Sequence, residues 1–168
     1  MAENEFGIVY AAAYGSLEDA KKDYEGIKEL HKEKWIGKYE SALFTKNEDG
    51  SVKIHDTDAT SRGRGLKIGA AIGAAVGLIF PVTILVGALV GGGAGLLGGH
   101  LSKGLKRDDI KELGDTLDTG EAGIVLVAIV TPDEGIDRFL KRAAKVMKKQ
   151  VDADAEDLKK AIDEAVKD

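Results

Sequence analysis

The chain has 168 residues, a net charge of −5 and 32% charged residues. That is enough length for one domain with its own core, and too much charge for a polytopic membrane protein. Aromatic residues make up only 5% and cysteine is absent. The core must therefore rest on Val, Ile, Leu and Ala, and disulfides, thiolate catalysis and Cys-ligated metal sites are excluded. The acidic balance leaves no global basic field, so nucleic acid is not an expected partner.

The first residues, Met1 to Glu5, are acidic and lead straight into an apolar run. A secretory leader begins basic, so the expected location is the cytoplasm or the cytoplasmic face of the inner membrane. Phe6–Ala13 (FGIVYAAA) is rich in β-formers and predicts a buried strand. Ser16, three residues before Asp19, suits a helix N-cap. Leu17, Ala20, Tyr24, Ile27 and Leu30 then recur at helical spacing and predict an amphipathic helix over 17–33. Trp35 is expected to anchor the turn that follows. Residues 38–46 and 51–56, joined by the turn signal NEDG, predict a hairpin with Val52 and Ile54 on one face. Residues 57–64 read as a polar loop.

Beyond residue 104, Asp108 or Asp109 is expected to cap a short helix carrying Ile110, Leu113 and Leu117, with Gly120 after its end. Residues 122–130 (AGIVLVAIV) are apolar on both faces, so both faces of that strand should be covered. A basic amphipathic helix is predicted over 133–149, with Arg138, Lys141, Arg142, Lys145, Lys148 and Lys149 on its outer side. An acidic helix follows over about 152–166, and pairing between these two is favoured over lipid or nucleic-acid binding.

Between the two halves lies an uncharged run from Ile68 to Gly99 that holds ten of the 22 glycines. Gly93-Ala94-Gly95-Leu96-Leu97-Gly98 matches a dinucleotide-binding pattern, but no strand ending in an acid follows at the required distance and no G-K-[ST] is present. A single membrane span would divide strands that look like parts of one sheet. A helical hairpin fits better. Gly69, Gly73 and Gly77 recur every fourth residue, as do Gly87, Gly91, Gly95 and Gly99, and Pro81 separates the two sets. Period four lays each set in one stripe along a helix, and Pro can begin a helix but not continue one. Glycine inside a helix costs up to about 1 kcal/mol against Ala, a loss that close backbone packing offsets. Arg62, Arg64 and Lys67 precede the run and Lys103, Lys106 and Arg107 follow it, the pattern of two cytoplasmic flanks. A first helix of roughly 14 residues would reach only about 21 Å, short of a 30 Å hydrocarbon core. A re-entrant hairpin or burial in protein therefore fits better than two full spans.

The segments FGIVYAAAYGSLEDA, GAAIGAAVGLIFPVTILVGALVGGGAGLLGGHLSKG and DDIKELGDTLDTGEAGIVLVAI together resemble an uncharacterised family of small bacterial proteins, common in actinobacteria and usually labelled membrane proteins of unknown function. The resemblance implies a ferredoxin-like domain carrying a glycine-zipper hairpin, and it carries no catalytic residues.

The expected fold is thus α+β: a ferredoxin-like antiparallel sheet with its helices on one face, interrupted by an inserted glycine-rich helical hairpin. Its parts are a domain made of 5–60 and 105–150, the hairpin at 65–104 and an acidic C-terminal helix at 151–168. His31, His55 and His100 lack ligand spacing, His55 with Asp56 and Asp58 reads as a solvated loop, and no Ser has a base partner. No catalytic set, metal or cofactor is expected. The expected function is non-enzymatic self-assembly: homo-oligomerisation through the glycine stripes and Pro81, at the membrane face with lipid as a second partner. A small-ligand-binding or regulatory module is the alternative.

Overall fold

In a computed structural model of the chain, the described residues are 5–49, 51–59, 85–86, 104–118, 120–130, 140–152 and 156–157. They form, in order, β1 (Phe6–Tyr14), α1 (Leu17–Lys32), β2 (Tyr39–Lys46), β3 (Val52–Ala59), β4 (Leu85–Val86), α2 (Arg107–Leu117), β5 (Ala122–Val130) and β6 (Lys145–Val151). The sheet order is β4-β3-β2-β5-β1-β6. All neighbouring pairs are antiparallel except β3 with β4. The class is α+β.

β5 sits between β1 and β2, and all nine of its apolar residues are buried. It runs in unbroken register with β1, from Phe6 opposite Val130 to Tyr14 opposite Ala122, and on its other side with β2. Alternation along the strands sorts these residues onto two faces. Ile124, Leu126 and Ala128 share one face with Ile8, Tyr10, Ala12, Tyr39 and Leu43, under Ala20, Tyr24, Ile27 and Leu30 of α1. The other face meets α2, for a Cβ added to Gly123 would lie 3.1 Å from Leu117 Cδ2. Both faces of β5 are covered, as its composition requires. The two helices lie on opposite faces, not on one. An all-apolar central strand must be covered twice, and one helix covers one side only.

α1 starts where its sequence signals a start. Ser16 is extended and its Oγ accepts from the Asp19 amide at 3.2 Å. Glu18 and Asp19 occupy the first turn, and His31 and Lys32 the last, matching the helix dipole. The helix ends in a left-handed residue, Lys34 (φ 65°). Trp35 N–H donates to the Leu30 carbonyl at 2.8 Å and Lys34 N–H to that of His31 at 3.0 Å, the paired bonds of a Schellman motif. Trp35 packs on the core beside the same helix end and donates to Glu33 Oε2 at 3.2 Å, in keeping with an anchoring role.

Four expectations need correction. The helix over 133–149 does not exist at its C-terminal end, where residues 145–151 form β6 on the outer edge of β1. Lys, Met and Gln favour helix locally, but the open backbone edge of β1 supplies a ladder that local propensity cannot register. The hairpin strand runs on to Ala59, into the stretch 57–64 expected to be loop, because β2 offers pairing partners as far as Glu40. α2 starts at Arg107, so Asp108 and Asp109 lie in its first turn, and Lys106 holds the cap position without a side-chain cap bond. Finally, Leu85 and Val86, assigned to the second helix of the hairpin, are extended and pair with Val52 and Lys53. Leu85 and Val86 give the outer edge of β3 two residues of pairing, which local helix signals cannot register.

Candidate functional site

Of the residues singled out for self-association, Gly69, Gly73, Gly77, Pro81, Gly87, Gly91, Gly95 and Gly99 lie outside the described residues, as do Arg62, Arg64, Lys67 and Lys103. Lys106 and Arg107 are exposed at the N-terminus of α2. Positive charge there opposes the helix dipole, which Asp108 and Asp109 offset. The chain therefore returns from the apolar stretch through an exposed basic pair and then at once into the core, with Leu113 and Leu117 buried.

Of the basic residues expected on helix 133–149, Arg138 lies outside the described residues and the others do not share one helix face. In β6, Lys145 and Lys149 fall on the α2 face and Lys148 on the other, since alternate residues point oppositely. Lys149 bridges to Glu112 at 2.7 Å and to Asp109 at 3.4 Å, fastening β6 to α2. The hydrogen bond from Glu112 holds the Lys149 ammonium above its ordinary pKa.

Arg142 enters a site that the residue pattern did not single out. Its Nη1 donates to Asp23 Oδ1 at 2.9 Å and its backbone N–H to Asp23 Oδ2 at 3.1 Å, while Tyr14 Oη donates to Oδ2 at 2.9 Å. The Asp23 side chain is fully enclosed and that of Arg142 is 49% exposed. Burial, then the Asp23 charge, pushes the Tyr14 hydroxyl far above the ordinary tyrosine pKa, so it remains a donor. The three groups come from β1, the middle of α1 and the turn leading into β6. One signal was present in the sequence: Asp23 falls on the apolar stripe of α1, between Ala20 and Ile27. An acid on such a stripe needs a buried partner. The partner, 119 residues away, was not legible. The chemistry here is structural. Asp23 accepts from three donors, and the Asp19 charge nearby adds to the upward push on the Tyr14 hydroxyl.

The histidines behave likewise. His31 Nδ1 faces the Ile36 and Gly37 carbonyls at 3.3 and 3.1 Å. His55 occupies the extra position of a bulge between Leu43/Asp56 and Phe44/Ile54, with Nε2 2.6 Å from Thr45 Oγ1. Burial, with Lys53 and Lys21 nearby, lowers its pKa. Among the described residues no group of His, Asp and Glu could hold a metal ion, and no helix is long and apolar enough to cross a membrane. An open hollow of about 450 Å³ lies beside the start of α1, lined by Leu17, Thr45, Lys46, Glu48, Gly120 and Glu121 among others. Its lysine is already paired with Asp118.

These features define an α+β sheet with no assembled catalytic centre among its described residues. The chain belongs to the DUF1269 family, proteins of unknown function, whose model matches residues 67–163, more than half of the chain and including the whole glycine-rich run. No curated protein and no solved structure gives a match.

Proposed function

We propose that the protein is a non-enzymatic, self-assembling protein whose copies pack through the two glycine stripes, at the cytoplasmic face of the membrane. The observation that carries this reading is the strict four-residue spacing of Gly69–Gly77 and Gly87–Gly99 in a stretch without charge. A stripe without side chains lets identical backbones approach, and an apolar surface of this size does not stay in water. The fold adds support from both flanks. The chain leaves the domain from β3 and returns to it through α2, which favours a stretch that folds back over one that separates two domains. A ferredoxin-like arrangement is supported by the split β-α-β of β1, α1 and β2, with β5 antiparallel between the two parallel strands. In that arrangement β3 and β4 extend one edge, and bacterial members of the family with the same zipper are expected to share it.

Light scattering of the purified chain with and without detergent tests the proposal, alongside flotation with anionic vesicles. The expected result is an oligomer that Gly91→Leu disperses or shrinks. A detergent-free monomer at micromolar concentration overturns the reading. The hollow beside α1 favours, as a second reading, a small-ligand module. A bound small molecule in native mass spectra of the purified monomer would support it.

A further inference from the structure

One group of side chains on the α1 face belongs neither to the core nor to the glycine stripes. Thr45 of β2 is opposite Lys53 of β3, and Thr45 alternates with Leu43, which packs beneath α1. His55 fills the bulge beside them, and its Nε2 meets Thr45 Oγ1 at 2.6 Å. That contact occupies one ring nitrogen and leaves Nδ1 for another partner. Lys21 reaches the same place from α1: burial, then the charges of Lys53 and Lys21, hold the His55 imidazole towards its neutral form. All three basic residues are exposed. Neighbouring lysines are paired, Lys22 with Glu18 and Lys46 with Asp118. Among the described residues no carboxylate pairs with Lys21 or Lys53, although the chain carries 29 acidic residues against 24 Lys and Arg. Asp56, next along β3, already has a partner, and β4 brings only Leu85 and Val86 to the outer edge.

The cluster adjoins the hollow at the start of α1. Thr45 lines that hollow and so does Leu17, which lies one turn before Lys21 on the same side of the helix. We propose that Lys21, Lys53, His55 and Thr45 bind the phosphate group of a small soluble ligand whose remainder occupies the hollow. Like charges gathered without a counter-charge repel, and an anion relieves that repulsion. Two ammonium groups, an imidazole and a hydroxyl suit the three acceptor oxygens and nearly double charge of a phosphate ester better than the two oxygens of a carboxylate. The phosphate favours the charged imidazole, so binding takes up a proton at His55. Nε2–H then donates to Thr45 Oγ1, which frees the hydroxyl proton for the ligand. Beyond the cluster the hollow carries Glu48 and Glu121, both exposed, so the remainder of the ligand is neutral or cationic. The proposal gives a chemistry to the small-ligand reading, on which it rests, and is independent of assembly.

Histidine ring signals of the full chain, followed by NMR against pH, test the site, with the His55 signal identified in His55→Gln. In millimolar inorganic phosphate or phosphoethanolamine the His55 titration midpoint is expected to rise by about one pH unit over that in chloride at the same ionic strength. Calorimetry with phosphoethanolamine is expected to show an affinity about tenfold lower in Lys21→Gln/Lys53→Gln and unchanged in Lys22→Gln, a neighbour outside the cluster. Circular dichroism checks that each variant is folded, and the two single variants replace the double one if it is not. An unmoved midpoint overturns the proposal, as does the same rise in chloride or an equal loss of affinity in Lys22→Gln. A rise seen only with vesicles containing phosphatidic acid assigns the phosphate to a lipid headgroup and also overturns it. A different small molecule retained in native mass spectra, with the midpoint unmoved, would refute the phosphate site and leave the small-ligand reading standing.

Discussion

Asp23 shows what one misplaced-looking residue does. Taken out of water, its carboxylate is a large penalty that only its three donors offset. Removing either side of the pair is not equivalent. Asp23→Ala leaves Tyr14 Oη and a half-exposed guanidinium, and Arg142→Ala leaves a buried charge with two of its three donors. Both are expected to cost stability, on the order of 1–3 kcal/mol for Arg142→Ala, whose exposure lessens the loss, and about 3–5 kcal/mol for Asp23→Ala, which also leaves a void. Urea denaturation with a double-mutant cycle measures both, and additivity of the two would refute direct coupling. Tyr14 supplies a pH test. Its folded pKa is raised above the ordinary 10.0, so its contribution is fully present below pH 10 and is lost as pH climbs, because only the unfolded chain then releases the proton. Stability is expected to fall from about pH 10 upward, with a shallower slope in Tyr14→Phe.

At the scale of elements, two local conflicts invite substitution. Lys34 holds a left-handed conformation that glycine adopts at no steric cost. Lys34→Gly should raise stability by about 0.5–1 kcal/mol after the added freedom of the unfolded chain is counted; a lower melting temperature would argue against the strain. Gly123 works in the other direction. A Cβ there would stand 2.5 Å from Phe44 Cζ, so Gly123→Ala forces apart the contact between β5, β2 and the end of α2. The expected cost is about 1–3 kcal/mol by chemical denaturation. The strands and α1 were readable because their patterns are local: Ser16 caps, residues 17–30 repeat at helical spacing, and 122–130 is apolar throughout. β6 was not, since Lys145–Val151 has no strong alternation and becomes a strand through what β1 offers it.

Among the described residues, long-range ion pairs fasten the edges of the fold: Arg142 to Asp23, Lys149 to α2, Lys46 to Asp118. β6 carries Lys145, Lys148 and Lys149, charges that discourage a second copy from adding to that edge. Assembly through the apolar stretch is therefore expected to behave as an apolar contact. Raising salt to about 1 M should leave the oligomer mass unchanged while weakening vesicle binding through Arg62, Arg64, Lys67, Lys103, Lys106 and Arg107. An oligomer that salt dissociates would point to charged contacts instead.

The amino-acid sequence alone determined the α+β class, the bounds of β1, α1, β2 and β5 to within a residue, and the need to cover β5 twice. All of these rest on spacing between near neighbours in the chain, which fixes the faces of a helix or strand. Only the tertiary structure decided which strands are neighbours, that the helices lie on opposite faces, that residues 145–151 complete β1 and that Asp23 meets Arg142. Those depend on contacts between residues far apart in the chain, where an open backbone edge or a buried charge selects its partner by position in space.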